Sequence, residues 1–66
     1  MGTSDADAAL LSSLTSTLDD LLSRVAELAE RYAAAEQEGI AEELFAAERA
    51  LGTARRAVVR AHGSVR

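Results

Sequence analysis

The chain of 66 residues has no cysteine, no proline, no tryptophan and no lysine, and only one histidine, one tyrosine and one phenylalanine. Each absence excludes something. Without cysteine there is no disulfide scaffold and no thiolate metal site. With His62 as the only imidazole, no histidine cluster can ligate a metal. No run approaches the roughly 20 apolar residues of a membrane span, and Asp5 and Asp7 ahead of Leu10-Leu11 carry the wrong charge for a signal peptide. A cytoplasmic protein is the expectation. The length is too small for two domains and for most enzymes with a substrate pocket in their own core.

What is present points to helix. Hydrophobic residues make up 48% and charged residues 27%, with a net charge of -4, a globular or coiled-coil composition rather than a disordered one. Alanine, leucine, glutamate and arginine dominate, all strong helix formers, and no segment alternates with the period of a strand. Apolar residues at Leu11, Leu14, Leu18, Leu21, Val25, Leu28, Tyr32 and Ala35 are spaced alternately three and four apart, a heptad seam along one long helix. Asp20/Arg24 and Glu27/Arg31 add acid-first pairs one turn apart. Ser4 or Asp5 is placed to cap its start. The cluster Ser12, Ser13, Thr15, Ser16 and Thr17 weakens the helix, yet the heptad runs through it unbroken.

Gly39 is expected to end that helix as a left-handed terminator. A second seam follows at Ile40, Leu44, Ala47, Leu51, Ala54, Val58 and Ala61, with Glu42 and Glu43 at its positive end and Arg55, Arg56 and Arg60 toward its negative end. Gly63 then closes it. The spacing predicts an all-α fold: helix over 5–38, a turn near Gly39, helix over 40–62, and flexible ends at 1–4 and 63–66. A short connection makes this an antiparallel two-helix hairpin. Two registers give sensible layers, the first of them with large residues opposite small ones. One sets Tyr32, Val25 and Leu18 against Ala47, Ala54 and Ala61; the other sets Leu28 against Leu44 and Val25 against Ala47. In the first, Ala54 lies in a tight layer.

A lone hairpin of this length sits near zero stability, and apolar residues spill beyond the seams. Phe45, Gly52 and Val59 form a second stripe, Leu22 widens the first helix, and Leu10 and Leu11 project past the shorter second helix. Those six are the expected interface, and pairing of two copies into a four-helix bundle would cover them. The expected role is therefore a non-enzymatic, self-associating interaction module, a homodimer.

The other candidates carry less. Glu27, Glu30, Glu42, Glu43 and Glu48 lack the Glu-x-x-His pairing of bundle metal sites and are read as a solvated face. His62 has no nucleophile and orienting carboxylate converging on it, and Tyr32 is read as packing near the turn. No catalytic, cofactor-binding, metal-binding or small-molecule site is expected. Charge is uneven: residues 1–38 sum to -6 and residues 39–66 to +2. Arg55, Arg56 and Arg60 are thus a phosphate or acidic-partner contact in an alternative reading, a small nucleic-acid-binding regulator. Against it stand the acidic chain and the absence of interleaved aromatics. Neutralisation by Asp19 and Asp20 across the hairpin is preferred. A further alternative is an adaptor whose bundle is completed by a larger protein.

Overall fold

The computed structural model describes the backbone of residues 3–65 and the side chains of residues 5–65. Two helices, α1 (Thr3–Ala34) and α2 (Glu38–Ser64), pack side by side as an antiparallel hairpin. It is a slender rod, 53 Å long and 14 by 11 Å across. Helix α1 runs without a break through its serine and threonine cluster. There the Thr15 and Thr17 hydroxyls donate to the carbonyls of Leu11 and Ser13, at 3.0 and 3.1 Å, so the polar side chains are satisfied within the helix.

Both helices are longer at the outer ends than the spacing predicts, beginning at Thr3 and ending at Ser64. Asp5 therefore lies inside the first turn rather than capping it, where its charge still suits the dipole. The side chain of Ser4, and the expected looseness of residues 1, 2 and 66, lie outside the described residues. Gly63 is helical; the helix ends one residue later, where the Val65 amide donates to the His62 carbonyl at 3.2 Å.

The turn is displaced from its expected position. Glu36, not Gly39, takes the left-handed conformation, with φ of 62°. Its amide donates to the Ala33 carbonyl at 3.1 Å and that of Gln37 to the Tyr32 carbonyl at 2.9 Å. This is the paired bonding of a Schellman cap built on a non-glycine residue. Gly39 belongs to the first turn of α2 and has no positive φ. The physical reason is tertiary. Among the described residues Ala29 and Ala41, at 0% and 3% exposure, are the buried ones, and both lie beside the turn. Bringing them inside requires a tight connection. That gain outweighs the roughly 1–2 kcal/mol cost of a left-handed non-glycine residue.

A paired prediction follows. Glu36→Gly removes that cost and is expected to stabilise the hairpin by about 1 kcal/mol. Gly39→Ala, whose added methyl meets nothing within 4 Å, is expected to stabilise it by about 0.5–1 kcal/mol. Thermal unfolding followed by circular dichroism reads both. Destabilisation by Gly39→Ala, with no gain from Glu36→Gly, would move the turn back to the glycine.

Candidate functional site

Which rows of side chains meet decides which surfaces remain for a partner. On α1 the row turned toward α2 is Ala8, Leu11, Thr15, Leu18, Leu22, Val25, Ala29 and Tyr32, with Ala26 and Leu28 half-buried at its edges. On α2 it is Ala41, Leu44, Glu48, Leu51, Arg55, Val58 and His62, with Phe45, Ala47 and Gly52 half-buried at its edges. Both retain the alternating three-four spacing, but half of each expected seam is replaced. Leu14 and Leu21 stand 44% and 40% exposed, and Ile40, Ala54 and Ala61 are also exposed. Each helix is rotated so that one half of its apolar stripe faces the other helix and the other half faces outward.

Polar residues fill part of the contact. Arg55 is half-buried and pairs with Asp19 through Nε–Oδ1, with a second, longer bond from Nη2 to Oδ2 at 3.4 Å. This is the cross-helix neutralisation expected for Asp19. Asp20 instead pairs with Arg24 along α1 at 3.2 Å, on an exposed surface where such a bond contributes little. Glu27 and Arg31 do not close the matching pair. Arg56 donates to Thr53 Oγ1 at 3.2 Å. Of the three arginines considered for phosphate, Arg55 is thus engaged across the hairpin, while Arg56 and Arg60 remain exposed.

The three-residue connection between Ala34 and Glu38 limits the register. With those two residues about level, Leu18 lies about seven residues from the position opposite Ala61, so the register that put Ala54 and Ala61 in tight layers does not occur. The alternative with Val25 against Ala47 is within two residues of the observed one. Ala54 is exposed on the flank.

The six expected interface residues separate into three places. Leu22, Phe45 and Gly52, all half-buried, come together with Glu48, Arg49, Thr53 and Arg56 around a shallow depression of about 540 Å³. Val59 lies exposed farther along the same flank of α2, beyond that depression. Leu11 is half-buried in the contact row, covered because α2 continues to Ser64. Leu10 is exposed near the open end.

The opposite flank was missed as a surface. It carries Leu14, Leu21 and Leu28 on α1 beside Ile40, Ala47, Ala54 and Ala61 on α2. Its signal was legible as width. The apolar stripe of α1 spans three adjacent rows, and one neighbouring helix covers only two.

Tyr32 is half-buried next to the turn, lining a small depression with Leu28, Arg31 and Ala35. His62 is half-buried in the last turn of α2. Glu27, Glu30, Glu42 and Glu43 are exposed and Glu48 half-buried; among the described residues no three histidine or acidic side chains come together to hold a metal. Among the described residues, no helix is long and apolar enough to cross a membrane. No family model, curated protein or solved structure matches the chain.

Proposed function

We propose that this chain is a non-enzymatic interaction module that works by self-association, two hairpins combining into a homodimeric four-helix bundle. One observation carries the reading: the hairpin buries Ala29 and Ala41 but no large side chain completely. Two alanines make a poor core. Leucines and isoleucine remain exposed on the same rod, which is the apolar excess that marks a surface awaiting a partner.

The shape supports the same reading. A compact monomer of this mass would expose about 4000 Å², whereas the hairpin exposes 4804 Å². The excess, about 800 Å², is the surface of an elongated shape that leaves its apolar rows uncovered. Size-exclusion chromatography with light scattering tests it. At micromolar concentration the expected mass is twice 6.9 kDa; a helical, folded species of single-chain mass would refute self-association.

A further inference from the structure

We infer that the second copy docks on the leucine and alanine flank, with its long axis parallel to the first and both turns at the same end. The inference rests on the self-association reading and specifies its face and geometry. The two flanks differ in kind. On one side the hairpin contact ends in the Asp19–Arg55 ion pair, with Glu48 and Arg56 around the depression beneath Phe45. On the other it ends in apolar rows: Leu14, Leu21 and Leu28 next to Ala47, Ala54 and Ala61. The apolar stripes of both helices are therefore turned toward the same side. That is the arrangement of helices that each have two neighbours, one within the hairpin and one in a second layer.

The flank is also complementary to itself. Its α1 side carries leucines, Leu14, Leu21 and Leu28, and its α2 side alanines, Ala47, Ala54 and Ala61. A twofold axis parallel to the helices, running between two stacked hairpins, keeps every level and places α1 of one copy over α2 of the other. The leucine row then faces the alanine row, and the reciprocal contact repeats by symmetry. Arg31 comes within about one helical turn of Glu43 of the second copy, so charges of opposite sign meet at the edge. A twofold axis perpendicular to the rod would stack leucine on leucine and alanine on alanine instead. Layers of unequal thickness would follow, along with poorer packing.

The chain's lack of cysteine makes the geometry measurable with one substitution. Gln37→Cys in the exposed turn, carrying a nitroxide label, reports the distance between turns by pulsed electron resonance. Stacked helices sit 8–10 Å apart, so the expected separation is below about 30 Å, label arms included. Any longer distance, such as one near the 53 Å length of the rod, overturns the parallel arrangement.

Two variants locate the face by analytical ultracentrifugation. Leu21→Glu is expected to weaken dimerisation about 100-fold or more, as loss of a central anchor from both halves does. Val59→Glu, an equally exposed residue on the other flank, is expected to change it by less than about threefold. A dimer broken by Val59→Glu and indifferent to Leu21→Glu overturns this face and leaves self-association standing. A folded wild-type monomer removes both. The label measurement needs neither glutamate variant, so loss of folding in Leu21→Glu does not decide the question.

Discussion

Ala29→Leu is expected to lower stability by about 1–3 kcal/mol, the usual cost of forcing extra methylenes into a close contact. Ala29 has no exposed surface, and its helical position faces α2 beside the turn. A leucine there has to push the helices apart or distort its own rotamer. Separation at that point also strains the three-residue connection between Ala34 and Glu38. Because so little else is buried, a loss of this size is a large part of what holds the hairpin together. Urea titration followed by circular dichroism measures it. A neutral result would mean that the helices do not approach closely near Ala29.

Ala54→Leu supplies the contrast. Seam spacing alone makes Ala54 a member of a tight layer, which predicts the same overpacking penalty. The structure exposes it, so within the hairpin the added side chain meets no wall. On the self-association reading, any cost of Ala54→Leu belongs to the contact between copies, whereas the cost of Ala29→Leu belongs to the hairpin itself.

The difference between these alanines indicates what a sequence reading can reach. Helix content, the hairpin and neutralisation of the Arg55 region by an aspartate of the first helix follow from spacing and charge. Each holds in either register. The choice of contact row does not follow from them. Leu11, Leu18, Val25 and Tyr32 belong to two overlapping heptads, one completed by Leu14, Leu21 and Leu28, the other by Ala8, Thr15, Leu22 and Ala29. The leucine version is more hydrophobic and reads as the core. The structure uses the other, whose smaller residues allow a closer approach of the helices.

Position along the chain was lost for a similar reason. Gly39 is the better left-handed residue by roughly 1–2 kcal/mol, but that preference is local. Burial of Ala29 and Ala41 is a tertiary effect, with no mark in the residues of the turn itself. The same holds for the expected interface. Leu22, Phe45 and Gly52 stand out as extra apolar positions, and they do gather at one depression. Leu14 and Leu21 looked already accounted for.

The melting temperature is expected to rise by about 15 °C between 1 μM and 1 mM chain, the largest effect predicted here. Folding coupled to dimerisation gains free energy with the logarithm of concentration, so a thousandfold increase contributes about 4 kcal/mol per dimer. Dividing by an unfolding entropy of about 2.1 cal/mol/K per residue, for two chains of 66 residues, gives the shift. Differential scanning calorimetry across that range measures it directly. A hairpin stable by itself would melt at one temperature throughout. An obligate subunit of some larger protein would show a weak or absent transition at every concentration, since dilution with its own kind supplies no missing helices. A slope near 5 °C per decade therefore requires that folding be coupled to association with another identical rod. Its disappearance in Leu21→Glu but not in Val59→Glu would assign that association to the leucine and alanine flank.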